Sequence, residues 1–135
     1  MPKYLVVDDD ESTVLGLSRL LQCDGHQVHA FTSGQDAVDA LSQDSFDAVV
    51  TDLEMPGVTG DIVAQTAREY HPAACIIVNT GRIGKVMIDH ACHVFDKPLD
   101  YESVTRAIAE CRSRGGPGAH GRCYMRSALL TDDET

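Results

Sequence analysis

The sequence predicts an α/β domain, a doubly wound five-stranded parallel sheet with strand order 2-1-3-4-5 and helices on both faces. Three observations lead there. Short apolar runs alternate with segments whose apolar residues recur at helical spacing, five times between residues 3 and 112. The runs themselves (Tyr4 to Val7, Ala48 to Val50, Cys75 to Val78) are nearly continuous, as in strands buried on both faces. Three of them end abruptly in polar groups, namely Asp8-Asp9-Asp10, Asp52 and Thr80. The carboxyl edge of such a sheet is where ligands bind.

Taken in order, residues 3 to 7 form the first strand, and Val14, Leu17, Leu20 and Leu21 give an apolar helical stripe ending near Asp24-Gly25. Val28 to Phe31 is a weaker second strand. Ser33 followed by Asp36 has capping-box spacing for a helix carrying Ala37, Val38 and Leu41. Phe46 to Thr51 is the third strand, closed by Asp52 and turned by Met55-Pro56-Gly57. Residues 60 to 70 form a helix expected to face inward with Ile62, Val63, Ala67 and Tyr70, stopped by Pro72. Cys75 to Asn79 is the fourth strand, and Val94-Phe95 centres a short fifth. Asp100 caps a last helix with Val104, Ala107, Ile108 and Cys111 on one face. Right-handed crossovers leave few windings. The flavodoxin-like order puts the first and third strands side by side, so that Asp8, Asp9, Asp52 and Thr80 share one edge.

The 135 residues suffice for one domain with a genuine core. It is expected over residues 1–112, followed by a Gly/Pro linker and tail over 113–135 that contains Gly115-Gly116-Pro117-Gly118. A net charge of -10 argues against direct nucleic-acid binding. No apolar run approaches the roughly 20 residues of a membrane span. Met1-Pro2-Lys3 leads straight into a strand, so no signal peptide is expected. Five scattered cysteines without a CxxC pair read as a reduced cytoplasmic chain with buried or idle thiols, Cys75 and Cys111 in the core.

At the predicted edge stand three carboxylates, a hydroxyl and an ammonium. Carboxylate and carbonyl oxygens suit Mg²⁺ or Mn²⁺ beside a phosphate. A carboxylate can also accept a phosphoryl group as nucleophile, while a lysine and a hydroxyl hold the equatorial oxygens. Each motif alone fits a solvated turn, a cap or a surface lysine; their joint placement at matching strand ends does not.

Val6-Val7-Asp8-Asp9-Asp10, Asp52 with Met55-Pro56-Gly57, Thr80 after an apolar strand, and Lys97-Pro98 occur here in an order that resembles a response-regulator receiver domain of two-component signalling, the CheY-like superfamily. The resemblance covers about residues 3 to 112. It implies that Asp52 is the phosphoacceptor and that Mg²⁺ is held by Asp9, Asp52 and the backbone carbonyl of Glu54, with Asp8 acting through water. It further implies that Thr80 and Lys97 contact the phosphoryl group and that the Lys97-Pro98 bond is cis. The implied donor is a sensor histidine kinase, a phosphotransfer protein or a small phosphodonor, and a downstream protein target is expected. The sequence leaves homodimerisation open.

Two departures from the family pattern stand out. Only residues 81 to 96 separate Thr80 from Lys97, about one helical turn fewer than usual, and Gly81 and Gly84 weaken helix there. The fourth helix is therefore expected to be short or irregular. The switch position three residues before the lysine carries Val94 where many members have Tyr or Phe. Glu54 and Arg82 are expected to face each other across the pocket mouth as an ion pair. Competing readings are a phosphorylation-independent binding module and an aspartyl-phosphate phosphatase of the haloacid-dehalogenase type. In the latter, Glu54 would stand where a general-acid aspartate is usual. His90, Cys92 and His93 lie close in sequence but lack the partner pair that zinc wants.

Overall fold

A computed structural model of the chain describes residues 2–81, 90–97 and 100–113. Its elements are β1 (Lys3–Val7), α1 (Glu11–Cys23), β2 (Gln27–Phe31), α2 (Gly34–Gln43), β3 (Ala48–Asp52), α3 (Gly60–Tyr70), β4 (Cys75–Thr80), β5 (His93–Asp96) and α4 (Tyr101–Ser113). The sheet is parallel throughout, in the order β2-β1-β3-β4-β5. Its central strands β1, β3 and β4 are buried along almost their whole length, which is why they read as continuous apolar runs.

Alternate residues of those strands feed two cores, because successive strand side chains point to opposite faces. Leu5, Val7, Val49, Ile76 and Val78 pack with Ala37, Leu41, Val63 and Ala67 of α2 and α3. Tyr4, Val6, Val50 and Ile77 pack with Leu17, Leu21, Val104 and Ile108 of α1 and α4. Each fully buried aliphatic side chain contributes roughly 1.5–3 kcal/mol, so the double layer fixes the strand register. That register sets Val7 beside Thr51, Asp52 beside Asn79, and Thr80 beside Asp96.

Three apolar residues expected to face inward lie at the surface instead: Leu20, Ile62 and Tyr70 are 48%, 44% and 54% exposed. In α3 the inward stripe is Val63, Ala64 and Ala67. Ile62 precedes it by about 100° of helical rotation, and Tyr70 ends the helix with its ring near His71, 6.4 Å between centroids. In α1, Val14, Leu17 and Leu21 suffice to cover the sheet.

The cysteines also depart from expectation. Cys75 and Cys111 are buried, but they form a disulfide rather than two thiols. The physical reason is packing. The first residue of β4 faces the last full turn of α4, with Cα atoms 5.9 Å apart, inside the span a disulfide bridges. The expected irregular fourth helix, Arg82, the Lys97-Pro98 bond and the linker and tail from residue 114 onward lie outside the described residues.

Candidate functional site: an acidic pocket at the carboxyl edge of the sheet

The pocket is built where β1, β3 and β4 end. Asp8 follows β1 directly and is buried; its N–H donates to the Phe31 carbonyl at 3.2 Å. Its Oδ1 accepts from the Asp10 N–H at 2.9 Å, which holds the carboxylate inward. Asp10 turns the other way. It caps α1 by accepting from the Ser12 N–H (3.1 Å) and the Thr13 hydroxyl (2.9 Å). Of the three consecutive aspartates, two therefore serve the pocket and one starts a helix.

Asp52 is the last residue of β3 and only 1% exposed. The loop after it is pinned at both ends: Leu53 N–H donates to Asn79 O, and Gly60 N–H to Leu53 O, each at 2.8 Å. Gly57 turns this loop with φ +76, a conformation other residues rarely adopt. Gly60 opens α3 so tightly against β3 that a Cβ there would collide with the Asp52 carbonyl. Thr80 ends β4, and the Lys97 N–H donates to its carbonyl at 2.8 Å, which brings the lysine over the pocket.

Carboxylate oxygens of Asp8, Asp9 and Asp52 lie within 4.8 Å of one another. Lys97 Nζ stands 3.0 Å from Asp52 Oδ2 and 3.7 Å from Asp8 Oδ2. Both oxygens are buried, and among the described residues the Lys97 ammonium is the group that meets them. Burial pushes the Asp52 carboxyl up from 3.8 to about 6; the Lys97 contact pulls against this, and the Asp8 charge adds to it. Asp8 is likewise raised, by burial first, against the Asp10 N–H and Lys97. Burial draws Lys97 down, but its ion pairs with Asp52 and Asp8 outweigh that and leave it raised.

Three crowded carboxylates facing one lysine are under-neutralised. Two buried oxygens sharing one ammonium, in an all-oxygen cluster, fit a hard divalent cation. Glu54 occupies the remaining side. Its N–H donates to Asp52 Oδ1 at 3.4 Å, and its Oε1 accepts from the Thr80 hydroxyl at 3.1 Å. Sequence alone did not show that the Glu54 carboxylate engages Thr80; the only signal was its place two residues after Asp52. Beside the pocket, a groove of about 580 Å³ runs between α1 and the start of α4, lined by Thr13, Leu17, Leu20, Asn79, Lys97 and Tyr101. The arrangement can bind a divalent cation and present a carboxylate nucleophile to a phosphoryl group, with an ammonium and a hydroxyl at hand.

Residues 4–109 match the family described as response regulator receiver domain. Among curated proteins, the chain is 36% identical over 106 residues to the hybrid signal transduction histidine kinase L of Dictyostelium discoideum, covering 73% of this chain and 6% of that protein. It is 29% identical over 121 residues to the DNA-binding transcriptional regulator NtrC of Klebsiella pneumoniae, covering 83% and 26%. The chain thus spans only a small part of these relatives. Among solved structures it resembles the response regulator TrrA of Thermotoga maritima in complex with Mg²⁺-BeF. The TM-score is 0.72 at 26% identity, over 82% of this chain and 99% of that one. A receiver domain protein from Clostridium thermocellum gives 0.72 at 24% identity, over 84% and 96%.

Proposed function

The chain belongs to the response regulator receiver domain family, and from that premise we propose that Asp52 accepts a phosphoryl group from the phosphohistidine of a sensor histidine kinase or phosphotransfer protein, in a Mg²⁺-dependent reaction. One observation carries the reading. Asp52 is a buried strand-end carboxylate with two more carboxylates within 4.8 Å and an ammonium 3.0 Å away. Asp9, Asp52 and the Glu54 carbonyl would hold the metal, with Asp8 through water. Mg²⁺, or Mn²⁺, supplies neutralisation of the carboxylates and of the transferring oxygens.

The rest is done by this chain's own side chains. An Asp52 oxygen attacks phosphorus in line, the bond to the donor imidazole breaks, and the imidazole leaves with that electron pair. Lys97 follows the charge from the Asp52 carboxylate to a phosphoryl oxygen. Thr80 must exchange the Glu54 carboxylate for a phosphoryl oxygen, because two anions cannot share one hydroxyl proton. That exchange moves Glu54 out of the pocket when the phosphoryl group arrives, a local event able to alter the surface a downstream protein reads. The reading places the chain in the cytoplasm, with no catalysis beyond its own phosphorylation and dephosphorylation. Among the described residues no helix is long and apolar enough to cross a membrane.

Incubation with acetyl phosphate tests this directly. With Mg²⁺ the protein should take up one phosphoryl group per chain, and chelation should suppress the uptake. Steady turnover of a generic phosphate ester would point instead to a hydrolase, and no uptake at all to a phosphorylation-independent binding module.

A further inference from the structure

At the opposite end of the sheet lies a second cluster that the phosphorylation chemistry does not use. The sulfurs of Cys75, Cys92 and Cys111 lie within 4.8 Å of one another, all three residues buried. They belong to different elements. Cys75 opens β4, Cys92 immediately precedes β5, and Cys111 sits in the last full turn of α4. Cys75 and Cys111 form the disulfide, which closes a separation of 36 residues. The third sulfur has a charged partner: the Arg68 guanidinium donates to Cys92 Sγ at 3.2 Å. The same guanidinium is fixed by the carbonyls of Pro72, Ala74 and His90. A positive charge is therefore held rigidly against a sulfur that touches a disulfide, in an apolar layer made of Tyr4, Val50, Ile77 and Ile108.

We infer that Cys75, Cys92 and Cys111 form a reversible thiol–disulfide site, oxidised by hydroperoxides through Cys92 and reduced by dithiols. Chemically, the Cys92 thiolate attacks the terminal peroxide oxygen, the O–O bond breaks, and an alcohol (water, for hydrogen peroxide) leaves, giving a sulfenic acid. The Cys75 or Cys111 thiol displaces water from it and forms a first disulfide. The remaining thiolate then attacks its partner's sulfur, expels Cys92 as the thiolate and leaves Cys75–Cys111. The sum is two thiols and one hydroperoxide to one disulfide, one alcohol and one water. Three sulfurs in mutual reach make the exchange intramolecular; a structural staple needs two.

The site couples to the fold through covalent connection. Cys75 begins the strand that ends in Thr80, about 16 Å away along β4. Cys92 leads into the strand before Lys97, and Cys111 lies on the helix that follows it. Oxidation pins α4 onto β4, and disulfides in reducing compartments are usually of this transient, sensing kind.

The test uses the full chain carrying Cys23→Ser and Cys123→Ser, so that only the three sulfurs remain. Fully reduced, it should show three titratable thiols after denaturation, and one after brief treatment with hydrogen peroxide, with peptide mapping locating Cys75–Cys111. Dithiothreitol should restore all three. Oxidation should raise the thermal midpoint by on the order of 10 °C, the effect of closing so long a loop. Acid quenching during oxidation should trap a disulfide containing Cys92, and Cys92→Ala should slow formation of Cys75–Cys111 by at least about tenfold. Three thiols persisting under peroxide, no trapped Cys92 disulfide, or an unchanged rate in Cys92→Ala would each overturn the assignment. The trapping experiment needs no substitution at Cys92 and so stands even if that variant fails to fold.

Discussion

Asp52 titrates near 3.8 as a free carboxyl and near 6 in the folded chain, so the native state holds its proton across an interval where the unfolded chain has released it. Stability from this group is fully present below about pH 4 and is lost as pH rises through about 6, up to about 3 kcal/mol in all. Without metal, Asp52→Asn should flatten that slope and raise stability at pH 7 by a similar amount, measured by urea denaturation from pH 4 to 8. Parallel curves for the two proteins would contradict it. A divalent cation prefers the ionised cluster, so its stabilisation should grow with pH over the same window. Millimolar Mg²⁺ should raise the melting temperature at pH 7 by several degrees through mass action. Asp9→Asn should reduce that rise most, since Asp9 is an exposed carboxylate whose removal leaves the buried pair and its neighbours in place. The pocket carboxylates were legible in the sequence because each stands at the end of an apolar run, and a parallel sheet brings those ends together. The Glu54–Thr80 bond was not legible, because it depends on how a loop side chain turns across the edge.

The contact of α3 with β3 is where an element positions the chemistry. Gly60→Ala should cost about 1–3 kcal/mol, the usual penalty of overpacking, since its Cβ meets backbone rather than a flexible side chain. It should weaken Mg²⁺ binding as well, because the displaced atoms belong to Asp52 itself. Equal stability and equal Mg²⁺ affinity in the variant would show that the helix start can yield. The helix caps follow a simpler rule. Asp100 accepts from the Ser103 N–H at 2.7 Å, and Ser33 from the Asp36 N–H at 3.4 Å, as their spacing predicts. Periodicity identified each described helix but overcounted the buried face of α1 and α3, whereas Val104, Ala107, Ile108 and Cys111 of α4 are all buried as expected. It cannot distinguish an apolar residue that touches the sheet, such as Val63, from a neighbour one position off the stripe, such as Ile62. The sulfur cluster escaped for another reason: Cys75, Cys92 and Cys111 stand 17 and 19 positions apart in the chain, and only tertiary packing closes those gaps.

For the molecule as a whole, the buried residues of both core layers, among those described, run from Tyr4 to Cys111, and we propose that the chain beyond Arg114 adds to neither face. Truncation after Arg114 should leave unfolding free energy within about 1 kcal/mol; a larger loss, read from urea melts of both lengths, would show that the tail packs on the domain. The fold brings Asp8, Asp9, Asp52, Thr80 and Lys97 together from four strand ends, a convergence that needs the whole parallel sheet in register. Phosphoryl acceptance at Asp52 is the claim on which the account turns. The most direct measurement is mass mapping of the chain after acetyl phosphate and Mg²⁺, in wild type and Asp52→Asn. The account predicts one phosphoryl group on the peptide containing Asp52 and none in the variant; undiminished labelling of Asp52→Asn would contradict it.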